Sequence, residues 1–509
     1  MKSLVSFLSL ASCAYALWPQ PVYISTGDTV LFVDENVQFH WYELGGESAG
    51  SVADQNSDQQ SFVFTSNSNA HPHDKHNWRL KKRYTELKQY TELLHTDETG
   101  HGTQGRVSND EIIEYAIITA WRTIITNSFY PWKFHPRAWD EPSPEGSACL
   151  SEITVRLLST TEPHASTVDE SYLLNVGEDG KATIAANSSI GIARGLTSFT
   201  QLFYKHSNRG DAYTPFAPVT LRDAPKFQHR GINLDVSRNW FPVSAIKRQI
   251  NAIAYNKMNR LHLHVTDSQS WPLEIPALPE LSAKGAYRPD LVYTPEDFKH
   301  IQRYAALHGV EVVTEIDMPG HTSSIHHSYP NLVAAFNRQP DWGTYCAEPP
   351  CGTLKLNSTD VYDFLETLFD DLLPRISPYS GFFHTGGDEV NKNSYNLDDT
   401  VRSNESDVLR PLMQKFIDRN HDQVRASGLT PMVWEEMLLD WNLTLGEDVI
   451  VQSWQSDEAV AKIVSKGHKA LVGNYKFWVR KSPDGEAMIM KYFPAYRLSV
   501  SRLRQRPMA

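Results

Sequence analysis

Cysteine is scarce, four in 509 residues, so a core and not a disulfide framework must hold this chain together. The means are there: 40% of the residues are hydrophobic and 11% aromatic. Excess positive charge is absent. A net charge of −12 argues against nucleic acid or an anionic membrane surface as the partner. Long apolar runs are absent too, and no stretch of the sequence is apolar for long enough to cross a bilayer. No glycine-rich nucleotide loop occurs, and residues 17–205 carry neither HExxH nor a nucleophile elbow.

What the N-terminus does have is Lys2, a short apolar run and Ala14-Tyr15-Ala16, the pattern of a secretory leader (residues 1–16) cut before Leu17. The expected location is extracellular, or a vacuolar or lysosomal lytic compartment. Sequons at Asn187, Asn357, Asn404 and Asn442 fit that route. Losing the leader removes Cys13 and leaves Cys149, Cys346 and Cys351, an odd count. Cys346 and Cys351 are spaced to close a small loop around Pro349-Pro350, though spacing alone leaves the pairing open.

Short strands (VYIS, TVLFVD, VQFHWY) open the chain. Residues 46–108 then turn to Ser, Asn, Gln, Gly and His and read as a flexible insertion carrying one short helix. Its His71, His73 and His76 read as a solvated loop and not as metal ligands. Further strands and two helical runs make residues 17–205 an α+β domain, and 206–228, with Asn208, Gly210 and the prolines after it, the linker. From 229 the pattern alternates: GINLDVS, LHLHVTD, VEVVTEID, FFHTGGDE, PMVWEEM, VIVQSW and KALVGN are seven apolar strands, mostly separated by helices. That is the period of a parallel β/α barrel; an open doubly wound sheet would want the nucleotide loop the chain lacks.

Barrel chemistry collects where strands end. Gly381-Phe382-Phe383-His384-Thr385-Gly386-Gly387-Asp388-Glu389-Val390 starts as a buried strand, loosens at two glycines and delivers two adjacent carboxylates. Asp235, Ser237 and Arg238 end the first strand; Asp267 ends the second, after His262 and His264 on one face. Glu315 and Asp317, followed by Met318-Pro319-Gly320-His321, end the third; Trp434 with Glu435, and Trp454, end later ones. Consecutive strand residues face opposite sides, so Asp388 and Glu389 share a site only through irregular backbone, or serve different parts of one ligand. Two carboxylates in unlike surroundings separate in pKa, the arrangement that glycoside cleavage uses.

The segments RGINLDVSRNW (230–240), LHLHVTD (261–267), EIDMPGHT (315–322) and HTGGDEV (384–390) together closely resemble glycoside hydrolase family 20, the β-N-acetylhexosaminidases, in their fungal secreted form. The resemblance covers about residues 17–478 outside the insertion. It implies a (β/α)8 TIM-type barrel behind a small zincin-like α+β domain that binds no zinc. It implies exo-acting, substrate-assisted retaining hydrolysis of terminal non-reducing N-acetylglucosamine or N-acetylgalactosamine, with no cofactor. Glu389 matches the family's general acid/base, and Asp388 the residue that orients the substrate's 2-acetamido group. Asp267 and His321 match a supporting relay, Arg230 a grip on ring hydroxyls, and Trp434 and Trp454 two walls of an aromatic box. The partners implied are N-acetylhexosamine-terminated oligosaccharides such as chitooligosaccharides and glycans, and a second copy of the chain in a homodimer.

After about residue 478 the resemblance stops. The 479–509 tail holds seven basic and two acidic residues and reads as having no strand–helix unit, so the barrel (229–478) is expected to lack its eighth strand. The family's acetamide-binding tyrosine would fall at Val479, and a truncated or misread gene product is the expectation. A sugar-binding chain without turnover is therefore an alternative. The other, a metal-dependent barrel hydrolase prompted by His262, His264, Asp267 and His321, wants its paired histidines on the first strand.

Overall fold

A computed structural model describes residues 17–43, 60–63, 106–127, 130, 139–159, 168–473 and 497–500. The leader, His71, His73, His76 and Val479 lie outside the described residues. No described helix is long and apolar enough to cross a membrane. The chain divides into two compact units, the first drawn chiefly from residues up to Ala224 and the second chiefly from Pro225 onward.

The first unit is a seven-stranded mixed sheet: β1 (Tyr23–Glu43), β2 (Gln60–Val63), β3 (Ala148–Leu157), β4 (Tyr172–Val176), β5 (Lys181–Ala186), β6 (Tyr204–Lys205) and β7 (Ala212–Asp223), in the order β2-β1-β3-β5-β4-β7-β6. Helices α1 (Asn109–Arg122) and α2 (Ser189–Thr200) match the two helical runs read from sequence. The three short strands expected at the start are one long strand, with register irregularities where breaks were expected. One piece of the expected insertion, β2, pairs with it antiparallel.

The linker expected at 206–228 is corrected. Residues 212–223 of it are β7, paired to both β1 and β4. Pro215 and Pro218 misled because proline donates no ladder hydrogen bond. The strand accommodates them where its register with β1 shifts, between Thr26 and Leu31.

Among the described residues the second unit carries seven parallel strands: β8 (Arg230–Asp235), β9 (Arg260–Thr266), β10 (Glu311–Ile316), β13 (Phe382–His384), β14 (Thr430–Trp434), β15 (Ile450–Ser453) and β16 (Lys469–Val472). A separate small hairpin pairs β11 (Val333–Ala334) with β12 (Thr353–Leu354). Intervening helices include α3 (Val243–Tyr255), α4 (Glu280–Gly285), α5 (Pro295–Leu307), α6 (Ser323–His326), α7 (Thr359–Ile376), α8 (Ser406–Ala426), α9 (Glu435–Leu439) and α10 (Asp457–Ser465). The order of these strands is β16-β15-β14-β13-β10-β9-β8, monotonic in sequence. A doubly wound sheet reverses its order part-way; this one never does, as a TIM-type barrel requires.

The parallel eighth strand expected to be missing is not found among the described residues. β17 (Arg497–Val500), from the basic tail, pairs antiparallel with β8, Arg497 opposite Asn233 and Val500 opposite Arg230. Four residues without a described helix gave no sequence signal. Their effect is to cover backbone groups that β8 would otherwise present as a raw edge.

Period-two alternation explains the lumen. Val313, Phe382, Met432, Ile450 and Leu471 form one apolar cluster, contributed by five successive strands. Two residues further along the same strands stand Glu315, His384, Trp434 and Gln452, all buried. An apolar floor thus carries a polar layer, and the strand ends lie above that. Helices α3, α5, α7 and α8 bury Ile246, Phe298, Leu368 and Phe416 against the outside.

Candidate active site

The two glycines of 384–390 resolve the question of facing. β13 ends at His384; Gly386 and Gly387 then take φ of 69° and 103°, and Glu389 itself 53°. A Cβ on Gly386 would lie 1.9 Å from Asp317 Oδ1, so only glycine fits. The Gly387 amide donates to that same oxygen at 2.9 Å, and Gly386 O accepts from the Trp434 amide at 3.0 Å. The strand has left β geometry before the acids arrive. Asp388 is half-buried, and Glu389 keeps a third of its side chain open to solvent.

Glu389 Oε2 lies 3.4 Å from His321 Nε2, and His321 Nδ1 lies 3.2 Å from Asp267 Oδ1. His321 also has a left-handed backbone, φ 55°. Asp267 Oδ2 meets Arg238 Nη1 at 2.9 Å and His264 Nε2 at 2.7 Å. Burial would raise the Asp267 carboxyl, but Arg238 and His321 outweigh it and hold it well below the usual range. Burial disfavours a charged His321, yet Asp267, Glu389 and Asp388 push it well above an ordinary imidazole. Asp317 is fully enclosed; burial and the neighbouring Asp388 raise it far above a normal carboxyl. Asp388 is raised as well, by burial first, with His321 and Asp317 opposing.

Beside Glu389 opens a cleft of about 420 Å³, lined by Trp454, Trp441, Glu436, Asp440, Lys392 and Gln455. Glu436 Oε1 accepts from Trp454 Nε1 and from Gln455 Nε2, both at 2.8 Å. Burial and the field of Asp388 push its carboxyl up to about 8.

Of the residues named from sequence, the structure brings Glu389, Asp388, Asp267, His321 and Trp454 to one rim. Arg230 is corrected. It is the first residue of β8, at the opposite end of the strand from Asp235 and the rim. Its guanidinium is taken up by main-chain oxygens, Lys257 O at 2.8 and 3.0 Å and Phe227 O at 2.6 Å. The arginine at the rim is Arg238, which also pairs with Asp235 at 3.0 Å and with Glu348. Strand polarity was the signal: β8 runs from Arg230 towards Arg238, and barrel sites occupy the end it runs to.

Trp434 is corrected likewise. It is 1% exposed, donates from Nε1 to Glu315 Oε1 at 2.6 Å, and packs against His384 at 5.0 Å between ring centres. It plugs the lumen beneath the site, and the cleft takes its second indole from Trp441. Sequence reasoning passed over Glu436, Trp441 and Glu348; only Glu436 had a signal, its place just past the end of β14.

Groups with ligand atoms within 4.8 Å of one another, close enough to hold a metal ion, include His262, Glu315 and His384, and Asp317, His321 and Asp388. Most of these ligand atoms are spent on one another as acid–histidine hydrogen bonds.

Residues 227–488 match the glycosyl hydrolase family 20 catalytic domain, and residues 17–202 match the beta-acetyl hexosaminidase like domain. The chain belongs to glycosyl hydrolase family 20. Beta-hexosaminidase of Arthroderma benhamiae is 40% identical over 486 residues, 92% of this chain and 76% of that protein. Chitooligosaccharidolytic beta-N-acetylglucosaminidase of Bombyx mori is 32% identical over 330 residues, 60% of this chain and 54% of the relative. Flavobacterium johnsoniae chitobiase shares the fold with a TM-score of 0.62 at 23% identity, covering 92% of this chain and 60% of that one. The Streptomyces coelicolor family 20 enzyme does so at 0.56 and 20%, covering 93% and 78%. The chain therefore spans about three-quarters of its fungal relative and little more than half of the silkworm one.

Proposed function

We propose that this glycoside hydrolase is an exo-acting β-N-acetylhexosaminidase that works through the substrate's own acetamido group. The observation that carries it is the unequal pair. Glu389 is open to solvent and backed by His321 and Asp267, while Asp388 is half-buried beside Asp317, whose carboxyl burial and Asp388 itself raise well above the usual range. Glu389 gives its proton to the leaving glycosidic oxygen as the C1–O bond breaks. The acetamide carbonyl oxygen attacks C1 from the opposite face, and Asp388 takes the amide N–H and balances the charge that builds on it. Glu389 then removes a proton from the water that reopens the ring, so configuration is retained. Arg238, already held by three carboxylates, is the group that grips ring hydroxyls, and the Trp454 side of the cleft faces the sugar. Glucosaminides and galactosaminides are both within the proposal.

Release of 4-nitrophenol from its N-acetyl-β-glucosaminide by the wild type, and a fall of ~10²–10⁴ in Glu389→Gln, is the expected result. Equal background rates in the two proteins would sink the reading. Export and glycosylation belong to the same proposal, supported by the leader-like start and by the exposure of Asn187, Asn357 and Asn442. A mobility change on N-glycosidase treatment of secreted protein tests them. The homodimer is read by light scattering on the purified chain.

A further inference from the structure

The relay behind Glu389 does not stop at Asp267. His264 Nε2 lies 2.7 Å from Asp267 Oδ2, and its Nδ1 lies 2.6 Å from Glu315 Oε2. Both carboxylates accept, so both ring nitrogens must donate, and a ring that donates twice is an imidazolium. Glu315 has its own reasons to be ionised. Its Oε2 also meets His262 Nε2 at 2.8 Å, and its Oε1 receives the Trp434 indole at 2.6 Å. The His262 proton is fixed on that nitrogen because Asn233 Nδ2 donates to its Nδ1 at 3.2 Å.

We infer that His264 is a positioning residue: an enclosed, doubly protonated bridge from Asp267 to Glu315 that sets how tightly the His321–Glu389 pair holds its proton. The inference rests on the proposed role of Glu389 and extends it one layer into the barrel. Charge supplies the reason. Asp267 faces three cationic groups, Arg238, His264 and His321. Whatever part of its negative charge is engaged by His264 is not available to His321. Other elements contribute fixed surroundings: Asp235 from β8 and Asp317 from just past the end of β10 also face this layer, as does His384 from β13. Asp388 and Glu348 approach His321 and Asp267 from the loops. Removing one positive charge here, with the rest in place, must make His321 and Glu389 hold their protons more strongly.

The test compares the full-length wild type with His264→Gln, and with His262→Gln as the control that touches the same Glu315 but not Asp267. In His264→Gln the alkaline limb of kcat/KM moves up by about half to one pH unit. In His262→Gln it stays in place although the melting temperature falls. A common loss of stability in both variants with no movement of the limb overturns the inference and leaves a structural role only. Should His264→Gln fail to fold, ¹⁵N-histidine spectra of the wild type decide. Imidazolium signals from His264 persisting from pH 5 to 9 support the bridge; a neutral tautomer in that range overturns it. An inactive but folded wild type would defeat the proposed function instead, and the His321 titration in the two proteins would still read the effect of His264.

Discussion

Glu389 and His321 meet through side chains whose backbones both lie in the left-handed region, at 53° and 55°. For residues with a Cβ that conformation costs about 1–2 kcal/mol each, and it persists only where packing determines it. The packing is visible: Gly320 comes so close to the 388–390 loop that a Cβ would lie 3.3 Å from Asp388 O. Gly386 is the tighter point. Gly386→Ala would place a methyl on Asp317 and impose side-chain strain at φ 69°, so a loss of about 2–4 kcal/mol in urea unfolding is expected, with most activity. Asp388→Asn has a different signature. It keeps size and hydrogen bonding but removes the charge opposite the developing oxazolinium, so kcat should fall ~10²–10³ with KM little changed. A rise in KM alone would show that Asp388 only binds.

At the scale of elements, the hairpin β11–β12 shows how a loop is made to serve a site. The Cys346–Cys351 disulfide closes the segment between its strands and holds Glu348 against Arg238, with Gln269 donating to Pro349 O at 3.3 Å. Replacing both cysteines by serine should free Glu348 and raise KM several-fold while kcat changes less; parallel falls in both would assign the loop to catalysis. Elements were also where the sequence could be read best. Alternation in LHLHVTD placed His262 and His264 on one face of their strand, because a strand's period is two whatever surrounds it. Which end of a strand holds the site follows from polarity, so Arg238 was legible and Arg230 a misassignment. Trp434 was not legible: alternation gives the face of a residue but not its depth, and depth decides between a wall and a plug. β17 is set by a pairing across more than 260 positions, Arg497 to Asn233, which no local pattern records.

For the molecule as a whole, the protons held by His264, His321, Asp317 and Glu436 act on stability in one direction as pH rises. His264 and His321 hold their protons far more tightly when folded than the usual imidazole value, against their own burial. Their contribution is therefore complete below about pH 6.5 and is lost as pH climbs through the folded values. Asp317 and Glu436 are raised carboxyls, Glu436 to about 8. Between 4.5 and 8 the folded Glu436 keeps a proton that the unfolded chain has released, so the folded state binds more protons and its stability falls with pH. Asp267 works the other way, depressed well below 3.8, so its contribution is present above about pH 4 and lost only in stronger acid. Burial holds His229, His384 and His421 below the usual imidazole value, which opposes the decline up to about pH 6.5, so stability should fall steadily from there towards pH 8. Melting temperatures measured from pH 4 to 9 check this, and Glu436→Gln should flatten the decline towards pH 8 without moving the profile below 4.5. A variant whose profile runs parallel to the wild type would show that the Glu436 proton is not what the cleft stores.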